Sequence, residues 1–236
     1  MRLSAKPPSA QRGPGLRSGE NPGRPPRTYD QQKANDVFQV LVRQAQLFPL
    51  AAMLVTIVAG LFVPHYSSMT QHVSELGVIA HPAAAVMPVA AIVAGASVVV
   101  FGLGLWLHPS RSFRFTSVAA VVFGVSFISA GIFPTGTALH GLYGLTMFYV
   151  LVPACFAAEL PPHLRTGLAV PVSLAAACLS LIYMWGLLSG LEPHALRGLT
   201  QRLAILVIFG WYPFASAVLL RESVRVGAPL APRHAG

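Results

Sequence analysis

The side chains with the greatest chemical potential crowd one short polar stretch. Between Pro64 and Pro82 the chain places His72, Ser74 and Glu75 within four positions of one another, with His65 and His81 to either side. Imidazole with carboxylate is a zinc-ligand pair and a general acid–base pair, and a neighbouring serine supplies a nucleophile. Ser68 and Gln71 have capping-box spacing and Gly77 suits a helix end, so the stretch predicts a short helix with His72 and Glu75 three residues apart on one face. The patterns that fix a reaction are missing, however, because the chain has neither H-E-x-x-H nor a Gly-x-Ser-x-Gly elbow.

The elements that must position these groups are membrane helices. The chain has 236 residues, of which 54% are hydrophobic and only 10% charged, against about 25% charged in soluble domains. So few charges cannot dress a surface facing water. Uncharged runs predict six spans, at residues 45–63, 83–107, 115–133, 141–158, 167–188 and 203–220. Even the nineteen residues of the first cover the roughly 30 Å of hydrocarbon at about 1.5 Å each. None of the six holds Asp, Glu, Lys, Arg or His, which removes proton pumps and ion-coupled carriers that need an ionisable group at mid-membrane.

Orientation follows from where the basic residues fall. With six spans, fourteen of the sixteen Lys and Arg lie on one side and two, Arg197 and Arg202, on the other. The rich side is the cytoplasm, so both termini are cytoplasmic and the His72 stretch is external. The expected fold is an all-α, six-helix transmembrane bundle over residues 37–220, in a bacterial inner membrane. A disordered basic cytoplasmic tail at 1–36 precedes it, and a second cytoplasmic tail at 221–236 follows. Basic residues distributed in this way make nucleic acid an unneeded partner, and membrane lipids are the expected one.

Within the spans, Pro49, Pro88, Pro153, Pro171 and Pro213 predict kinks that open space between helices. Gly124, Gly131, Gly141, Gly144 and the Ala94-Gly95-Ala96 cluster predict close helix packing. Cys155 and Cys178 read as buried free thiols.

The candidate external cluster is therefore His72, Ser74, Glu75, His140 and Arg202, with Glu75 expected to pair with Arg202 and Arg197 as its alternative partner. Ser74-Glu75-Leu76-Gly77, Gly131-Ile132-Phe133-Pro134-Thr135 and His140-Gly141-Leu142 together resemble a bacterial membrane family, domain of unknown function 998, over about residues 45–220. That resemblance implies a six-helix bundle and no established activity. The family often has an acid before the arginine of the last span, where this chain has Gln201-Arg202.

The leading expectation is a non-enzymatic bundle that holds a lipid, a small amphiphile or a membrane partner at its external face, with no cofactor and no metal. One alternative is a hydrolase of lipid headgroups with a metal on His72, Glu75 and His140, and the other is a small-molecule transporter.

Overall fold

In the computed structural model the described residues are 29–108, 112–165 and 167–227. Seven α-helices follow in order: α1 (Tyr29–Arg43), α2 (Phe48–Ala59), α3 (Val86–Trp106), α4 (Arg114–Ile132), α5 (Leu151–Glu159), α6 (Ala169–Leu188) and α7 (Arg197–Gly227). No strand occurs among the described residues. Among the described residues five stretches are long and apolar enough to cross a membrane: Gln32–Phe62, Val86–Trp106, Arg114–Ile132, Ala169–Leu188 and Arg197–Arg221. They mark a membrane protein.

The fourth expected span is the exception. Residues 141–144 all take positive φ, at 77° for Gly141, 46° for Leu142, 54° for Tyr143 and 88° for Gly144, a conformation that no right-handed helix can include. A 3-10 helix then covers Leu145–Val150, and α5 begins only at Leu151, so the apolar run Leu145–Glu159 is shorter than the other five. It nevertheless runs antiparallel to α4. Ser126 of α4 holds the Gly141 carbonyl at one end, while Glu159 meets Phe115 and Thr116 at the other.

The boundary expected at residue 36 also moves, because α1 starts at Tyr29 and Asp36 lies inside it, accepting from Gln32 rather than capping a helix. Asn35, Phe38 and Val42 of α1, continued by Ala45 in the 3-10 turn that follows, form a buried stripe, a heptad-like spacing that seats the helix in the bundle. The rest of the proposed N-terminal tail, residues 1–28, lies outside the described residues, as do 228–236. Residues 221–227 continue α7.

Four of the five span prolines are helix starts, not kinks. Pro49, Pro88, Pro153 and Pro171 each occupy the first turn of α2, α3, α5 and α6, where a backbone N–H has no intrahelical acceptor to lose. Only Pro213 sits in a helix interior. Of the two thiols, both are free, but Cys178 faces outward on α6 and Cys155 is half-buried.

The tightest contact in the bundle joins α3 to α4. A Cβ on Gly95 would lie 2.6 Å from the Gly124 carbonyl oxygen, and one on Gly124 would lie 2.6 Å from that of Gly95. Gly131 meets the Pro88 carbonyl at 2.6 Å, and Gly102 meets the Ser117 carbonyl at 3.0 Å. Each helix thus offers a small residue or proline every seventh position, in a single antiparallel register, which brings the backbones together as small-residue seams do in membranes. Ser117 Oγ adds a hydrogen bond to the Gly102 carbonyl at 2.6 Å.

Two partly buried polar staples complete the frame. Gln44, at the 3-10 turn between α1 and α2, donates to the carbonyls of Leu41 (3.0 Å) and Ser97 (2.9 Å) and accepts from Ser97 Oγ. Glu159, at the end of α5, caps α4 from outside, accepting from Phe115 N (2.8 Å), Thr116 N (2.9 Å) and Thr116 Oγ1 (2.6 Å). A carboxylate there satisfies orphan N–H groups and complements the helix dipole. Glu159→Ala is expected to lower stability by about 1–2 kcal/mol, the usual size of a lost cap. Thermal unfolding in detergent checks this, and an unchanged midpoint would remove the cap from the account.

Candidate functional site

At one end of the bundle three polar segments converge: residues 63–85, the 133–144 loop and the 189–196 loop. Their anchor is Arg202, which is buried, with 7% of its surface exposed. Nη1 donates to the carbonyls of Ser68 (2.6 Å), Gln71 (3.1 Å) and Gly198 (2.7 Å), and Nη2 donates to Tyr66 Oη (2.6 Å). Tyr66 in turn donates to the His72 carbonyl at 3.1 Å, and burial raises its hydroxyl pKa above the ordinary value against the opposing pull of Arg202. Gly198 permits the approach, since a Cβ there would lie 2.4 Å from the Gln71 carbonyl oxygen.

Glu75 does not pair with Arg202. Its Oε1 accepts from Arg197 Nη2 at 3.0 Å and from the backbone N–H of His72 at 3.1 Å, so it caps the 3-10 helix Val73–Val78 while joining it to the start of α7. The reason is geometric: both Nη groups of Arg202 are taken by the Ser68, Gln71 and Gly198 carbonyls and the Tyr66 hydroxyl, while Arg197, about one turn earlier, reaches outward to the carboxylate. The expected capping pair also shifts, with Gln71 Oε1 accepting from Ser67 N at 2.7 Å. His72 and Glu75 join in a reciprocal capping box at the start of this helix, and the His72 ring also meets Glu192, Nε2 to Oε2, at 2.9 Å. Glu192 Oε1 accepts from Thr200 Oγ1.

Under these loops lies a cavity of about 310 Å³, at the small end of the 300–1,000 Å³ typical of ligand sites. Its rim is polar, formed by His72, Ser74, Thr135, His140, Tyr183 and Gln201, and its floor is apolar, with Phe123, Phe127, Ile205, Ile208 and Phe209. A smaller recess of about 160 Å³ adjoins it and shares Ser74, Thr135 and His140. Of the expected cluster, then, His72, Ser74 and His140 meet at one cavity, while Glu75 and Arg202 hold the loops that roof it.

The left-handed run 141–144 shapes one wall. Leu142 and Tyr143 carry a conformational cost of order 1–3 kcal/mol each, and the surroundings hold it in place. The Gly141 carbonyl accepts from Ser126 Oγ at 2.7 Å and Thr146 Oγ1 at 3.0 Å, the Leu139 carbonyl accepts from Ser129 Oγ at 2.7 Å, and Tyr143 N donates to Ala138. The strained turn lowers Gly141, Gly144 and Thr146 into the bundle beside the cavity. Because Tyr143 is exposed, Tyr143→Gly is expected to raise stability by up to about 1–2 kcal/mol by relieving the positive φ. A lowered unfolding midpoint would show instead that the tyrosine side chain earns its place.

Two further residues of the site are Gln201, named from the sequence only as a departure from a family pattern, and Glu192. Helical periodicity held the missing signal for the first, since Gln201, Ala204, Ile205, Ile208 and Phe209 form one stripe of α7. Nothing in the sequence tied Glu192 to His72, 120 residues away.

As a metal set, His72, Glu75 and His140 are divided. Glu75 is committed to Arg197 and a backbone N–H, and His140 Nδ1 to the Phe133 carbonyl at 2.9 Å. Among the described residues no three His, Cys, Asp or Glu side chains gather as metal ligands.

No curated protein and no solved structure matches the chain. A family model does, that of a protein of unknown function designated DUF998, over residues 47–218, a stretch that contains every rim and anchor residue described above, and the chain belongs to that family.

Proposed function

We propose that this protein is a multi-pass cell-membrane bundle of six crossings, with both termini cytoplasmic, that holds a small amphiphile in the cavity beneath its external loops. The carrying observation is the division of that cavity into a polar rim and an aromatic, aliphatic floor, which matches a molecule with one wet and one dry end. The sixth crossing is the short run Leu145–Glu159 completed by the 133–144 loop, and the concentration of Lys and Arg on one side supports the orientation. A binding role fits better than hydrolysis, since the rim lacks a gathered metal-ligand set.

Filling the cavity tests the proposal. Ala204 is 7% exposed and lines the wall from α7, so Ala204→Phe should displace any bound amphiphile while the bundle still folds. The expected result, read by native mass spectrometry of protein in lipid nanodiscs, is an adduct on the wild type and none on the variant. Equal adducts on both would refute the proposal.

A further inference from the structure

We propose that the cavity selects an uncharged amphiphile whose head carries a hydroxyl group, a long-chain alcohol or an acylglycerol in chemical class. This rests on the binding role above and specifies its ligand. The first observation is one of charge. No Lys, Arg, Asp or Glu lines the cavity, and neither arginine near it reaches the rim: Arg202 gives both Nη groups to three carbonyls and Tyr66, with its buried Nε unpartnered, and Arg197 serves Glu75 and the Thr70 carbonyl. A phosphate or carboxylate head would be desolvated there with no counter-charge. The Glu192 carboxylate behind His72 opposes an anion further, and its own two oxygens already serve His72 and Thr200.

The second observation is the polarity of the rim's hydrogen bonds. Gln201 Oε1 accepts from Val73 N, which fixes the amide orientation and leaves the Nε2 hydrogens for Tyr183 and for a ligand. His140 Nδ1 faces the Phe133 carbonyl, an acceptor only, so Nδ1 carries the hydrogen and Nε2 of the neutral ring is an acceptor. One donor and one acceptor on the same rim suit a group that both accepts and donates. A hydroxyl does so without bringing a charge. The floor of Phe123, Phe127 and Phe209 then takes the first part of the chain.

The experiment compares heads on a constant chain, with the protein in phosphatidylcholine nanodiscs so that no sugar-headed detergent competes. The probes are monodecanoylglycerol, decanoate, decyl phosphate and decylamine, and binding is read by native mass spectrometry and by the shift in unfolding midpoint. The expected result is that monodecanoylglycerol binds at least about tenfold more tightly than the three charged probes. Gln201→Leu and His140→Phe should each reduce that preference about fivefold or more. A charged probe that binds as well as the glycerol ester overturns the proposal and leaves the binding role standing. If no probe binds, both fall. The wild-type comparison decides the matter even where a variant fails to fold. Solvent extraction of protein taken from native membranes identifies the source: an enriched neutral hydroxyl lipid supports the proposal with a membrane ligand, and an enriched phospholipid counts against it.

Discussion

Gly124→Leu is expected to abolish the folded bundle. A Cβ at this position would stand 2.6 Å from the Gly95 carbonyl oxygen, 2.8 Å from Val99 Cγ2 and 2.9 Å from Val99 N. Two of those three atoms are backbone, so the clash cannot be relieved by turning a side chain. Relief requires α3 and α4 to separate, and that would open the neighbouring contacts at Gly131 and Gly102 in the same register. Overpacking typically costs about 1–3 kcal/mol and occasionally more, and a leucine wedged between two backbones belongs above that range. The milder Gly124→Ala should cost roughly 2–3 kcal/mol, which on the scaling of domains this size lowers the unfolding midpoint by about 4–12 °C. Gly210→Ala is the control, because nothing lies within 4 Å of its added Cβ, and a helical glycine replaced by alanine should be neutral or gain about 0.5–1 kcal/mol. Fluorescence-detected gel filtration across a temperature series reads all three. A monodisperse Gly124→Leu protein with an unchanged midpoint would mean that the helices do not approach as described.

A second large loss is expected for Arg202→Leu. The guanidinium supplies the hydrogen bonds of the Ser68, Gln71 and Gly198 carbonyls and of the Tyr66 hydroxyl, and its plane lies 5.5 Å from the Tyr66 ring centroid. Leucine would leave these acceptors under the loop without a donor, and hydrogen bonds to a charged group contribute about 1.5–3 kcal/mol each before the loop relaxes. Allowing for that relaxation, we expect a loss of about 3–5 kcal/mol. Arg202→Lys should recover only part, since an ammonium cannot present the planar fork that reaches the carbonyls and the phenol together. The Glu75–Arg197 pair provides the contrast. Its side chains are 26% and 37% exposed, so Glu75→Gln or Arg197→Gln should cost only about 0–1 kcal/mol. Exchanging Glu75 and Arg197 should recover the ion-pair contribution alone, because arginine at 75 cannot accept the His72 N–H and a carboxylate at 197 cannot donate to the Thr70 carbonyl, whereas exchanging Glu75 and Arg202 should recover nothing. Equal midpoints for Arg202→Leu and Glu75→Gln would show that the clamp carries no special weight.

Much of this protein was legible in its residue pattern because bilayer insertion is governed by local quantities. Length and hydropathy alone located α3, α4 and α6 to within a few residues, and the middle of α7, which runs six residues earlier and seven later than the expected span 203–220, since a span needs about twenty apolar residues whatever its neighbours are. Alternation of the spans put His72 and His140 on one side of the bundle, but their meeting at one cavity was decided only by the packing of the helices. Local reading failed where one segment satisfies another. The left-handed turn at 141–144 replaces the start of a span because serines of α4 hold its carbonyls, and α4 begins where it does with a cap supplied by Glu159 from α5. The spans' prolines looked like kinks because a sequence shows proline within an apolar run and does not show where the first turn falls. The choice of Arg197 over Arg202 as the partner of Glu75 was likewise set by carbonyls of residues 68–71, which carry no sequence signal. Hydrophobic length is a property of a segment by itself, whereas a hydrogen-bond partner is a property of the packed bundle, and the cavity with its polar rim exists only in the second.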